Sequence, residues 1–252
     1  MSEIPRSKIL LPLYIYPHPG AWDPLHAAVV AHPSIDFIVI VNPNSGPGAP
    51  PWWPNTDYTR EIPKLKACKN VQTVGYVRTN YCMRAIEEVV EDIATYAQWS
   101  HEPGIDKLGV EGIFFDETPN ASPDKGNFEY LSAITRRVKE TEGILGNRTV
   151  IHNPGTVIDS LLADSGPDIV TVVEQTFETF REPSYQDWLK TSCCSRSQSC
   201  FMVHSVPSKH VHSLARELRD VAAYVFVTDL RQDYYQRFAH SWGDFISALA
   251  ED

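Results

Sequence analysis

Three carboxylates stand where apolar runs end: Asp116 and Glu117 directly after Gly112-Ile113-Phe114-Phe115, and Glu174 directly after Thr171-Val172-Val173. An apolar strand has no packing reason to finish in acid, because an unpaired buried charge is costly. Two carboxyl groups facing one another can divide the work of general acid and base, or of acid and nucleophile. Each acid taken singly also fits a structural role as a turn former, Asp116-Glu117-Thr118-Pro119 most readily. Glu174 is harder to assign to a loop, since it follows its run without a break.

Other polar residues follow similar runs: Tyr16 and His18, Asn42 and Asn44, Tyr76 and Arg78, His152 and Asn153, His204, and Asp229. Aromatics gather in the same places. Trp52-Trp53, in the Pro/Gly-rich stretch 42–54, is not expected to be core in its entirety and reads as an exposed platform of the kind on which sugar rings stack. The absences narrow the chemistry further. No Lys ends a run, which argues against Schiff-base catalysis, and no Gly-rich turn follows the seventh run to hold a phosphate. His210-x-His212 falls within a helical segment, where i and i+2 do not share a face. No metal and no cofactor is expected, and the candidate site is one of acids, amides and aromatics.

The elements that must position these residues are legible as eight short β-branched runs, at residues 9–16, 37–41, 71–77, 112–115, 149–153, 169–174, 200–206 and 224–228. Helical segments alternate with them, at 24–31, 58–67, 83–99, 128–141, 157–163, 185–190, 208–222 and 234–250. The runs are continuously apolar, as strands buried on both faces are. Eight strand–helix repeats without a composition break predict an α/β fold, a single (β/α)₈ barrel over residues 8–250. A doubly wound sheet is the alternative, but no Gly-x-Gly-x-x-Gly turn follows an early strand. In a barrel the site lies at the C-terminal strand ends. Strands four and six then stand about 10 Å apart. Their acids can close to roughly 5 Å or roughly 8 Å, the two separations used in sugar hydrolysis. Asp116 and Glu117 are adjacent and point to opposite sides, so at most one of them meets Glu174.

Composition sets outer bounds. The 252 residues carry 22 basic and 32 acidic side chains, a formal charge of −10. That balance excludes nucleic acid and anionic membrane surfaces as partners. No run approaches the roughly 20 apolar residues of a membrane span, and residues 1–8 read as leaderless. Five Cys do not make a disulfide scaffold; Cys68 and Cys82 fall at opposite ends of the barrel, whereas Cys193 or Cys194 can close a short loop with Cys200 in an oxidising compartment.

The segments Leu13-Tyr14-Ile15-Tyr16-Pro17, Val39-Ile40-Val41-Asn42-Pro43-Asn44-Ser45-Gly46-Pro47-Gly48, Gly112-Ile113-Phe114-Phe115-Asp116-Glu117 and Val173-Glu174 together resemble the spherulin-4 family, and the similarity runs over almost the whole chain. The resemblance implies a fungal (β/α)₈ glycoside hydrolase, endo-acting on galactosaminogalactan, the wall and biofilm polymer of α-1,4-linked galactose and N-acetylgalactosamine. It implies Asp116, Glu117 and Glu174 as the functional acids. Asp116 is assigned as nucleophile or charge stabiliser, Glu174 as general acid/base, and Glu117 as support, with substrate assistance by an N-acetyl group still open. Extracellular or surface location also follows from the resemblance, with cytoplasm the alternative for a leaderless chain; the sequons Asn120-Ala-Ser and Asn147-Arg-Thr fit a secretory route. The expected partner is a polysaccharide, cationic where deacetylated, which an acidic protein would attract. Two other readings compete: a non-catalytic carbohydrate-binding or structural surface protein, and a metal-assisted hydrolase using His18, His152 and His204.

Overall fold

The eight apolar runs are strands, and they close on themselves. The computed structural model describes residues 5–48 and 54–251. The strands are β1 (Lys8–Leu13), β2 (Phe37–Val41), β3 (Val71–Arg78), β4 (Gly112–Asp116), β5 (Thr149–Asn153), β6 (Ile169–Thr176), β7 (Ser199–His204) and β8 (Tyr224–Val227). All pair in parallel in sequence order, and β1 pairs with both β2 and β8, so the sheet is a barrel with no free edge. Every residue of β2 is buried, as a strand between barrel interior and helical shell must be.

The shell consists of α1 (Asp23–Ala31), α2 (Thr56–Lys66), α3 (Ile86–Gln98), α4 (Gly126–Glu140), α5 (Ser160–Ala163), α6 (Phe177–Phe180), α7 (Pro183–Leu189), α8 (Ser208–Leu218) and α9 (Trp242–Ala250). Their buried faces follow the helical period: Val89, Ile93, Tyr96 and Ala97 on α3, and Val211, Leu214, Ala215 and Leu218 on α8. The Asn55 side chain starts α2 by accepting from the backbone N–H groups of Asp57 and Tyr58. On β3 the outward Gly75 leaves room for Tyr96: a Cβ there would lie 2.6 Å from the ring. Buried side chains from all eight strands fill the barrel interior, which makes it a packed core rather than a pore.

The elements depart from the sequence expectation in several places, two of them plain shortenings: β1 ends at Leu13 rather than at 16, and α8 at Leu218 rather than at 222. The closing helix begins at Trp242 rather than at 234, so residues 234–241 form a loop over the barrel mouth. Phe238, Trp242, Phe245, Ile246 and Leu249 continue a helical spacing backwards, but Phe238 packs on Trp242 from the loop instead. The third helix starts at Ile86, after an N-cap residue, Ala85, with ψ of 132°, and the turn before it holds Asn80, Tyr81 and Cys82 at left-handed backbone angles. The fifth helix is reduced to Ser160–Ala163, and α6 is additional. A further difference is a β-bulge in β6, described below. All five Cys are free thiols, and Cys200 lies buried in β7, so the short loop expected with Cys193 or Cys194 is not closed. Among the described residues no helix is long and apolar enough to cross a membrane.

Candidate active site

Strand alternation decides which strand-end residues enter the barrel mouth. Asp116 pairs in register with Arg78 on one side and Asn153 on the other, so all three face inward at one level. Glu174 would not join them in a regular strand. Thr171 stands beside Cys200 on β7, and Glu174 beside Met202, two residues on along β7 but three along β6. The extra residue is the bulge, and it turns Glu174 from the outer face to the inner one.

Asn153 ties the two acids together. Its Nδ2 donates to Asp116 Oδ1 at 2.7 Å and to Glu174 Oε2 at 2.9 Å. Its Oδ1 accepts the N–H of Gly155 at 3.2 Å, which fixes which end of the amide faces the acids. Two N–H groups of one amide diverge by about 120°, so the carboxylate oxygens they hold lie about 5 Å apart. Gly155, with φ of +65°, lets the chain turn back so that its carbonyl accepts from the Glu174 N–H at 3.1 Å.

Each acid has a tyrosine of its own. The Tyr76 hydroxyl donates to Asp116 Oδ2 at 2.7 Å, and the Tyr235 hydroxyl to Glu174 Oε1 at 2.6 Å. Burial, reinforced by the neighbouring acids, raises the pKa of both phenols, so both remain donors. Tyr14 packs edge-on between them, with centroid distances of 5.6 Å to Tyr76 and 5.4 Å to Tyr235. Asp116 takes a third hydrogen bond from the Glu117 backbone N–H at 2.9 Å. Burial raises the Glu174 pKa, and the Asp116 charge adds to that effect, while the bonds from Tyr235 and Asn153 oppose it. The pair is therefore asymmetric: one carboxylate addressed by three donors, and one acid whose proton is held more tightly than an ordinary glutamate's.

Glu117 takes the other direction, as adjacency requires. Its backbone is left-handed at φ +54°, and its carboxylate accepts from Arg78 Nε at 2.7 Å near the rim. His204 faces the mouth from β7, stacked at 4.1 Å on Tyr234. Tyr16 stands on the loop after β1, its hydroxyl donating to Asp57 and its ring 4.5 Å from His18. Asn44 is exposed on the β2 loop, whereas Asn42 uses its side chain to brace that loop by accepting the Gly46 N–H. Asp229 accepts from Ser208 at the start of α8. Trp52 and Trp53 lie outside the described residues.

His152 corrects the sequence reading. It stands beside the outward Phe115 in the β4–β5 register, and its Nε2 meets Thr135 Oγ1 of α4 at 3.1 Å, behind the barrel wall. Burial pushes its pKa from 6.5 down to about 3, as expected of a neutral core histidine. His18, His152 and His204 therefore do not converge, and among the described residues no group of three or more His, Cys, Asp or Glu is arranged to hold a metal ion. Tyr235 is the functional residue that sequence reasoning missed. The adjacent Tyr234-Tyr235, shortly after the eighth strand, was the available signal, hidden by the helical spacing around it.

A model of the spherulation-specific family 4 matches residues 8–249. The chain belongs to this family. Spherulin-4 of Physarum polycephalum is 33% identical over 230 residues, covering 88% of this chain and 63% of that relative, so the chain spans about three-fifths of that protein's length. The crystal structure of Aspergillus clavatus Sph3 in complex with GalNAc is 42% identical with a TM-score of 0.92, covering 98% of each chain. A GH18 chitinase, ChiB, of Flavobacterium johnsoniae shares the fold alone, at 8% identity and a TM-score of 0.53 over 97% of this chain and 94% of its own. Membership in spherulation-specific family 4 and the likeness to Sph3 support a carbohydrate-binding or glycoside-hydrolase role.

Proposed function

We propose that the protein is a retaining, endo-acting glycoside hydrolase that cleaves the α-1,4-linked N-acetylgalactosamine segments of galactosaminogalactan. The observation that carries the reading is the shared Asn153 amide, which holds the Asp116 and Glu174 carboxyls at about the 5 Å separation of retaining enzymes rather than the 6.5–9.5 Å of inverting ones. The Sph3 structure, with GalNAc bound and 42% of residues identical, supports the choice of sugar.

In the first step a lone pair of the Asp116 carboxylate forms a bond to the anomeric carbon. The glycosidic C–O bond breaks, and the Glu174 carboxyl gives its proton to the departing oxygen. Its raised pKa suits that task, because the proton must still be present at working pH. In the second step the Glu174 carboxylate takes a proton from water, whose oxygen displaces Asp116 from the anomeric carbon. Tyr76 and the Glu117 N–H hold the nucleophile in line throughout. An extracellular location goes with this substrate, and Asn120 and Asn147 of the two sequons are both exposed.

Release of reducing ends from galactosaminogalactan, followed by NMR of the first-formed product, tests the reading. Wild type is expected to release α-anomers. Asp116→Asn and Glu174→Gln are each expected to lose at least about a thousandfold in kcat while staying within about 1 kcal/mol of wild-type stability. Initial β-anomers would refute retention. A wild type that binds the polymer without cutting it would leave the chain a carbohydrate-binding protein.

A further inference from the structure

Beside the two acids the chain holds a costly backbone for which the chemistry above has no use. Asn80, Tyr81 and Cys82 have φ of +50°, +54° and +64°, three successive non-glycine residues in the left-handed region. Each such residue is disfavoured by its Cβ, and runs of them are rare. Strain of this kind persists only where the surroundings enforce it, and it gathers at ligand sites. Here the enforcement comes from the strand end that carries Asp116. The buried Thr79 hydroxyl donates to the carbonyls of Asp116 and Glu117 at 3.0 and 2.8 Å, and the Tyr81 N–H donates to Glu117 O at 2.6 Å. Below the turn, Arg84 donates to Arg78 O at 3.0 Å and pairs with Asp92 at 2.6 Å, while Tyr130 donates to Arg84 O at 2.9 Å.

The result is a rigid turn that presents side chains instead of burying them. Tyr81 is 56% exposed and Met83 71% exposed, beside a polar edge of Arg78 and Asn80. A glycine in this turn would adopt the same angles at lower cost, but it would present nothing. An exposed aromatic ring on a braced turn, with hydrogen-bonding groups at its margin and one residue along from a cleaving carboxylate, is what the apolar face of a sugar ring requires.

We propose that the turn at residues 80–83 is an outer sugar-binding subsite, in which Tyr81 stacks on a hexosamine unit of the polysaccharide beyond the bond being cut. This deepens the hydrolase reading and rests on it for the identity of the ligand.

Kinetics on galactosaminogalactan and direct titration of the soluble polymer, run side by side, test the subsite. Tyr81→Ala is expected to raise KM and polymer Kd at least tenfold with kcat within twofold of wild type, and to leave affinity for GalNAc monosaccharide unchanged. Tyr81→Phe is expected to restore both values, because stacking needs the ring and not the hydroxyl. Tyr81→Gly is expected to melt no lower than wild type while binding as weakly as Tyr81→Ala. Unchanged KM and Kd in Tyr81→Ala would overturn the proposal, and so would a Tyr81→Gly variant that melts lower, since that would make the turn structural. If wild type cuts no polymer, the hydrolase reading fails, and the polymer titration alone still decides the subsite.

Discussion

At the scale of single residues, the site is a set of matched donors around two unequal acids. Tyr235 is the most informative of them, because its hydroxyl favours the Glu174 anion and so opposes the effect of burial. The sign of its removal follows. Without that bond the anion is less stabilised, the pKa of Glu174 rises further, and the alkaline limb of the kcat/KM profile, where the general acid loses its proton, moves to higher pH. A hydrogen bond to a charged group contributes about 1.5–3 kcal/mol. Tyr235→Phe is accordingly expected to lose about tenfold to a hundredfold in kcat/KM at its optimum. A limb that stays in place or moves to lower pH would show that Tyr235 does not act through Glu174. Asn153 was legible in the sequence only as a strand-end polar residue. That it donates to both acids at once depends on the register of β4 with β5 and on the bulge in β6, neither of which residue type or spacing records.

At the scale of elements, the site depends on two departures from regularity and on close strand–helix contact. The β6 bulge turns Glu174 inward, and the loop at residues 234–241, where spacing predicts helix, delivers Tyr235. The β3–α3 contact offers a direct test. Tyr96 is fully buried against β3, with its hydroxyl donating to Val41 O at 3.2 Å. Gly75→Ala would place a methyl group 2.6 Å from the Tyr96 ring, closer than carbon atoms approach. Overpacking of this kind costs about 1–3 kcal/mol. The urea midpoint is expected to fall accordingly, with the slope unchanged. Wild-type stability in this variant would mean that α3 moves outward freely.

At the scale of the whole molecule, the formal charge of −10 first excluded polyanionic partners, and with the proposed substrate it acquires a positive meaning. A partly deacetylated galactosamine polymer is cationic, and an acidic protein raises its local concentration by long-range attraction. The Debye length falls from about 30 Å at 0.01 M salt to about 8 Å at 0.15 M. Over that range kcat/KM on partly deacetylated polymer is expected to fall several-fold, while a fully acetylated polymer shows little change. Equal salt dependence for the two polymers would remove steering from the account.

Composition and periodicity by themselves determined the eight strands, most of the helices, the barrel and the strand ends at which the acids stand, because burial on two faces selects continuous apolar runs and parallel pairing needs a helix between them. They also determined that Asp116 and Glu117 diverge, since neighbours on an extended chain face opposite ways. Only the tertiary structure decided that Glu174 faces Asp116, that one amide spaces the two carboxyls, that His152 turns outward against Thr135, and that Tyr235 leaves its apparent helix. The Glu174 and Tyr235 placements turn on a shift of one residue in register and on a loop in place of a helix, and His152 turns outward by alternation once its neighbour Asn153 faces in. Such shifts cost little in local propensity and are set by packing between parts of the chain far apart in sequence.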